Sequence, residues 1–365
     1  MLITAGHAAT TALATIEAMR EDPEIRWNIS WIGPKVALSG TTLKPFELEL
    51  FPKLNVSVYS ITAGKLQSKF TRHTIPSLLK IPLGFWQSII NLRKIRPDVV
   101  LSFGGYAAVP VVAAAYVMRI PIVLHEQTVA AGLANRVTGL LATKIALARA
   151  ESIQFFPKQK CIVVGNPLTQ EVLSVKNASS LPQRPIIYVT GGSRGAQRVN
   201  NPVFESLNAL LPKYKIIHQT GQLDYAHALL LKKQLPTTLQ KNYEVHAFIN
   251  PLEIGNVYKE ASLVIGRAGA NTVSEVMTLA IPSIFIPIPW TRLDEQTKNA
   301  RSAELVGVST LLPESKLNSQ SLVSCVHDVF THWKKMKLSG DDYQKINKDR
   351  SASESLRTVV SKVLS

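Results

Sequence analysis

Leu2-Ile3-Thr4-Ala5-Gly6-His7 and, half a chain later, Ile186-Ile187-Tyr188-Val189-Thr190-Gly191-Gly192-Ser193 are the same device: an apolar strand running into a glycine-containing turn ahead of a helix. Glycine lets the backbone approach a ligand, and the following helix directs unpaired N–H groups and a positive dipole end towards it. The expected ligand is an anion, a nucleotide diphosphate above all. One such turn is common in α/β proteins and can serve packing alone. Its recurrence in both halves is what decides the fold.

Working outward from the first turn, apolar strands are expected at 2–4, 27–32, 56–61, 99–103, 122–124 and 145–148, with helical segments between them. Continuous apolar strands separated by helices imply a parallel sheet covered on both faces. Residues 174–185 lose all periodicity and hold Pro182 and Pro185, so they read as a linker. The pattern then restarts at 186–190, 215–219, 243–248, 263–265, 283–287 and 309–312. The expected organisation is a first α/β domain over 1–173, the linker, a second over 186–337, and a helical tail over 338–365 packed on either domain. In such sheets ligands bind beyond the carboxyl ends of the strands.

A length of 365 residues suits two cores, and 46% hydrophobic with 18% charged residues describes a folded protein. The formal charge of +16 favours anionic partners: nucleic acid, anionic lipid or a phosphorylated substrate. Cys161 and Cys325 stand in no ligand spacing, which suits a reducing compartment without structural zinc. The chain opens on Met1-Leu2-Ile3-Thr4 without a signal-peptide pattern, and its longest apolar stretch, 107–118, is shorter than the roughly 18 residues of a spanning helix. A cytoplasmic protein without transmembrane segments is expected.

Three groups of residues carry the chemistry. In the second half, Ser193 and the backbone around Gly191, Gly192 and Gly195 can bind phosphate oxygens, with Arg194 offsetting their charge. Pro202 predicts that the following helix starts late or kinks early. The run Gly266-Arg267-Ala268-Gly269-Ala270-Asn271-Thr272-Val273-Ser274-Glu275 places Glu275 in an early helical turn. There its carboxylate can accept hydrogen bonds from a ribose diol, or else complement its own helix. In the first half, His7, Tyr106 and Glu126 follow strand ends. A histidine there suits a general base or is an ordinary hydrogen-bonded one, and Glu126 either serves the chemistry or holds loop N–H groups.

The third group is 63–96, where Lys65, Lys69, Arg72, Lys80, Arg93, Lys94 and Arg96 occur with no acid among Phe70, Leu83, Phe85, Trp86 and Ile90. That mix suits an anionic membrane surface, the alternative being a helix with an apolar core side and solvated cations. Pro76 and Pro82 argue against one continuous helix. There is no GxxxxGK[ST] loop, HExxH, paired Cys/His set or metal-binding Asp-X-Asp, so a mechanism without metal or cofactor is expected.

Taken together, the residues resemble the MurG family, transferases that add N-acetylglucosamine to the lipid-linked muramyl-pentapeptide precursor of peptidoglycan. Arg96-Pro97-Asp98-Val99-Val100 with Gly104-Gly105-Tyr106 resembles the family's RPDVV...GGY segment, Leu124-His125-Glu126-Gln127 its LHEQ segment, and Gly165-Asn166-Pro167 its GNP. The resemblance implies two facing Rossmann-like domains, the GT-B fold, and inversion at the sugar without an essential metal. It implies UDP-N-acetylglucosamine on the second domain: Ser193 on phosphate, the Ile249 backbone on uracil, Arg267 and Ala270 to Glu275 on diphosphate and ribose, Gln296 and Asn299 on the sugar. Thr4, Ala5, Gly6, Thr128 and Thr169 are implied as further donor contacts.

Three of these positions depart from the family: Ala5 replaces a glycine, Thr128 an asparagine and Thr169 an arginine. Arg194 is expected to supply the cation that Thr169 lacks. The lipid-linked acceptor is implied on the first domain at the cytoplasmic face of the bacterial membrane, with Lys69, Arg72, Lys80, Phe85 and Trp86 on an anionic surface and His7 and Tyr106 near the reaction centre. Rival readings are another GT-B enzyme (a glycolipid glycosyltransferase or UDP-sugar 2-epimerase) and a non-catalytic UDP-sugar-binding protein. A nucleic-acid partner is disfavoured, since the basic run lacks spaced stacking aromatics.

Overall fold

The structure, a computed structural model, describes residues 1–6, 8–36, 45–64, 74–176, 178–192 and 195–364, without the side chains of 74–79 and 292. His7, Lys69, Arg72, Ser193 and Arg194 therefore lie outside the described residues. The chain divides into two units, Met1–Thr169 with Lys348–Ser365, and Gln170–Asn347.

The first unit is built on β1 (Leu2–Thr4), β2 (Ser30–Pro34), β3 (Ser57–Ile61), β4 (Val100–Ser102), β5 (Ile122–Glu126), β6 (Lys144–Leu147) and β7 (Cys161–Val163). They form one parallel sheet in the order β3-β2-β1-β4-β5-β6-β7. Because successive side chains point to opposite faces, each apolar strand feeds two cores. Ile3, Leu101, Val123 and Ala146 meet the helix Ala9–Arg20 and Leu356, Val359 and Val360 of the last helix, Ala352–Leu364. Leu2, Val100, Ile122, Leu124 and Ile145 face Ile89 and Leu92 of the helix Thr74–Ile95 and Val111 and Val112 of the helix Val109–Val117. Each of the buried leucines, isoleucines and valines contributes about 1.5–3 kcal/mol.

The second unit holds β8 (Ile186–Thr190), β9 (Lys215–Gln219), β10 (Tyr243–His246), β11 (Leu263–Gly266), β12 (Ser283–Phe285) and β13 (Ser309–Leu311). The order is β10-β9-β8-β11-β12-β13, again all parallel. In both sheets the order reverses beside the strand that precedes a glycine-containing turn: β1 lies between β2 and β4, and β8 between β9 and β11. These are the switch points where such sheets take ligands.

Several expectations change. β2 begins at Ser30 rather than at 27, since the Trp27 indole donates to Asp22 Oδ2 at 2.7 Å and holds that residue in the preceding loop. β7 was not anticipated; it is a three-residue strand at the sheet edge with Ile162 exposed. The helix Thr74–Ile95 runs unbroken for 22 residues. Pro76 falls in its first turn, where no N–H is needed, and Pro82 turns its ring to solvent. The helix Gln197–Leu210 likewise absorbs Pro202, which is buried in the core.

The boundaries also shift. The short helix Gln170–Leu173 packs against the helices Ile254–Glu260 and Ala270–Leu279 of the second unit. The tail expected over 338–365 is split: the helix Trp333–Gln344 stays with the second unit, and Lys348–Ser365 returns to the first.

Candidate active site

In the second unit, β8 and β11 lie side by side with Thr190 opposite Gly266. Gly266 presents a bare α-carbon to the Thr190 carbonyl, where a side chain would collide, so the two strand ends close tightly. Gly192, at φ +78°, turns the chain so that its N–H donates to Thr190 Oγ1 at 3.0 Å. Beyond β11 the helix Ala270–Leu279 starts after Gly269, an N-cap residue without a side chain, so its first-turn N–H groups point out of the helix start. These amides, with the positive end of the helix dipole, suit a diphosphate.

Gln219 at the end of β9 ties the surrounding pieces together. Its Nε2 donates to Gly192 O at 2.9 Å, while its Oε1 accepts from Ile249 N at 3.2 Å and from the Tyr188 hydroxyl at 3.3 Å. The orientation of the amide is fixed by these partners, because a carbonyl needs a donor and an N–H an acceptor. One side chain thus links the glycine turn to the backbone expected to read the base. Behind it, buried His218 meets Asn200 Oδ1 at 3.1 Å and the Tyr243 hydroxyl at 3.0 Å, and Asn200 donates to Asp224 Oδ2 and Thr220 O. Burial lowers His218 to about 3, so its ring is neutral.

Glu275 accepts a 2.6 Å hydrogen bond from the Tyr258 hydroxyl. Burial raises its pKa, and the tyrosine bond works against that rise. Arg267 and Asn299, both expected on the donor, are turned to the protein instead. Arg267 donates to Ile286 O at 3.0 Å and meets Glu314 at 2.6 Å, while Asn299 is buried and donates to Ala268 O at 3.2 Å. They brace the loop at 266–270. Gln296 Oε1 accepts from Ile288 N at 3.0 Å, which fixes its side chain beside the exit of β12. Asn271 and Thr272 are half-buried at the helix start, and Val273 and Ser274 are buried.

In the first unit, Gly6 N donates to Gly104 O at 2.8 Å, and a Cβ on Gly6 would stand 3.3 Å from Gly105 Cα. The turns after β1 and β4 therefore meet backbone to backbone, with Thr4 and Ala5 buried beneath them. Tyr106 is half-buried at the end of the second turn.

Glu126 does not present a reactive carboxylate. Its Oε1 accepts from Thr128 N at 3.0 Å and Thr128 Oγ1 at 2.8 Å, and its Oε2 from Asn135 Nδ2 at 2.8 Å. Asn135 in turn accepts from Gly105 N at 3.0 Å. Glu126, expected among the catalytic residues, is a buried clamp that holds its own loop and, through Asn135, the glycine turn. Thr128 is committed to that clamp, and Thr169 is buried at the end of the unit. On the outward side of the helix Thr74–Ile95, Leu83, Trp86 and Ile90 are 48%, 62% and 63% exposed, with Lys80 and Arg93 exposed nearby and Phe85 half-buried.

The structure thus groups Ile249 with the glycine turn, Glu275 with the helix start at 270, and Tyr106 with Gly6. It also adds Gln219, Tyr258 and Asn135. A polar residue closing an apolar strand was a usable signal for Gln219. For Tyr258 and Asn135 the sequence carries none, since their partners lie 17 and 9 residues away in chain order.

Residues 4–147 match the family model described as Glycosyltransferase family 28 N-terminal domain, and residues 186–356 the one described as Glycosyltransferase family 28 C-terminal domain. The chain is 30% identical, over 98% of its length and 96% of the relative's, to a Bacillus cereus protein named UDP-N-acetylglucosamine–N-acetylmuramyl-(pentapeptide) pyrophosphoryl-undecaprenol N-acetylglucosamine transferase 2. A Legionella pneumophila protein whose name specifies the same transfer is 32% identical over 89% of this chain and 86% of its own. Among solved structures, Acinetobacter baumannii MurG is similar in fold, with a TM-score of 0.70 at 24% identity over 99% of both chains.

Proposed function

The chain belongs to the MurG family within glycosyltransferase family 28, and from that membership we propose that it transfers N-acetylglucosamine from UDP-N-acetylglucosamine to the 4-hydroxyl of an undecaprenyl-pyrophosphoryl N-acetylmuramyl-pentapeptide, inverting the sugar carbon. The observation that carries the donor half is the pairing of β8 with β11, which sets the glycine turn after β8 beside the loop that opens the helix Ala270–Leu279, the helix that carries Glu275. The acceptor half rests on the names of the relatives.

In this reading Ile249 offers its backbone to uracil, Glu275 takes the ribose, and the glycine turn with Ser193, Arg194 and the amides at 270–272 take the diphosphate. Gln296 takes the sugar, while Arg267 and Asn299 shape the loop beneath it. His7 removes the proton of the attacking hydroxyl, typically worth a hundredfold to ten-thousandfold in general-base catalysis. The departing UDP is stabilised by amides already aimed at it, which need no reorganisation as charge develops. Tyr106 borders the acceptor, and the acceptor's lipid brings the first unit to an anionic membrane surface through Leu83, Trp86 and Ile90. Among the described residues no helix is long and apolar enough to cross a membrane.

The test is transfer of labelled sugar from UDP-N-acetylglucosamine to a short-chain lipid I analogue in detergent with EDTA. Labelled disaccharide-lipid product is expected. Binding of UDP without transfer to this acceptor would overturn the acceptor assignment.

A further inference from the structure

We infer that Tyr258 is a positioning residue for donor recognition: its buried hydroxyl holds the Glu275 carboxylate in the orientation that receives the ribose diol. The inference rests on the reading of Glu275 as the ribose group and adds how that group is aimed. Glu275 sits on the helix Ala270–Leu279 and Tyr258 on the helix Ile254–Glu260, so the 2.6 Å bond crosses between two elements rather than staying within one.

Tyr258 is itself fixed. It is 2% exposed, and its ring stands edge-on to Tyr188 at 5.8 Å and 85°. The Tyr188 hydroxyl reaches Gln219, which also holds Ile249 and Gly192. A glutamate side chain has three rotatable bonds, and an unanchored one must be ordered anew each time ligand binds. Tyr258 supplies that order beforehand. It occupies one acceptor site on Oε2 and leaves the other lone pairs of the carboxylate for two neighbouring hydroxyls, a pattern that fits a vicinal diol. Burial raises the tyrosine pKa well above its usual value, so the hydroxyl remains a donor.

The experiment is calorimetric titration of the full chain with UDP and with 2′-deoxy-UDP, using wild type, Tyr258→Phe, Glu275→Ala and the double variant. Phenylalanine fills the same space, and urea unfolding checks that each variant is folded. Wild type is expected to prefer UDP by on the order of tenfold, as a hydrogen bond to a charged group implies. Tyr258→Phe is expected to lose most of that preference, to bind 2′-deoxy-UDP as wild type does, and to add nothing in the Glu275→Ala background. A folded Tyr258→Phe that keeps the full preference would overturn the positioning role alone. Absence of any preference in wild type would overturn the ribose assignment and this inference with it.

Discussion

At His125 one buried ring couples folding to pH. Its Nε2 donates to Gly165 O at 3.0 Å, which leaves Nδ1 buried with no hydrogen-bond partner among the described residues. Charging the ring would strand a proton there, and burial accordingly lowers its pKa to about 4. The unfolded chain takes up that proton near pH 6.5 and the folded chain does not, so the contribution is complete above 6.5 and is lost as pH falls from 6.5 towards 4. His125→Gln, which can still donate to Gly165 O, should remove about 3 kcal/mol of the stability difference between pH 7 and pH 4. Urea midpoints at both pH values measure it, and an unchanged difference would count against a neutral buried ring. The neighbouring Glu126 shows where residue-level reading stops. Its place at a strand end was legible, but Asn135, which comes back from the next helix to take one of its oxygens, was not.

The helix Thr74–Ile95 carries the same lesson at the scale of an element. Its composition announced a basic, apolar segment, and the exposed stripe of Leu83, Trp86 and Ile90 follows from positions i, i+3 and i+7. Its continuity was not legible, because the penalty of a proline depends on where in the helix it falls and whether its ring meets solvent. Short strands behave similarly: 2–4, 186–190 and 215–219 were bounded by turns and readable to the residue, whereas β7 is too short and too exposed to stand out. On the membrane reading, Trp86→Glu should reduce co-sedimentation with vesicles containing phosphatidylglycerol by on the order of tenfold, since it removes an inserting ring and adds a like charge to the lipid surface. UDP affinity in detergent should stay as in wild type. Equal sedimentation of the two proteins would remove this helix from the membrane contact.

Across the whole molecule, two α/β units were legible because each repeats the strand, turn and helix rhythm. The return of the chain end to the first unit was not, because it rests on contacts between residues far apart in sequence, among them one ion pair. Arg149 meets Asp349 with two bonds, at 2.6 and 2.7 Å, and Asp349 also accepts from Asn166 N at 2.8 Å. Removing Asp349 takes two charged hydrogen bonds from Arg149 and the acceptor from Asn166 N, at a cost of about 1.5–3 kcal/mol. Asp349→Ala is expected to lower the unfolding free energy, measured by urea unfolding, by that amount and to make the helix Ala352–Leu364 the first site of protease cleavage. Cleavage elsewhere first would show that the apolar contacts of Leu356, Val359 and Val360 hold the helix unaided.

Since the first unit closes only with residues 348–365, the second is in effect an insertion within it. The order of synthesis on the ribosome then runs against the order of the domains. The second unit has emerged in full while the first, although translated earlier, still lacks one of the helices that cover one face of its sheet. Until residues 348–365 have emerged, part of that face is an exposed apolar surface on a nascent chain, and a natural client for the chaperones that wait at the exit tunnel.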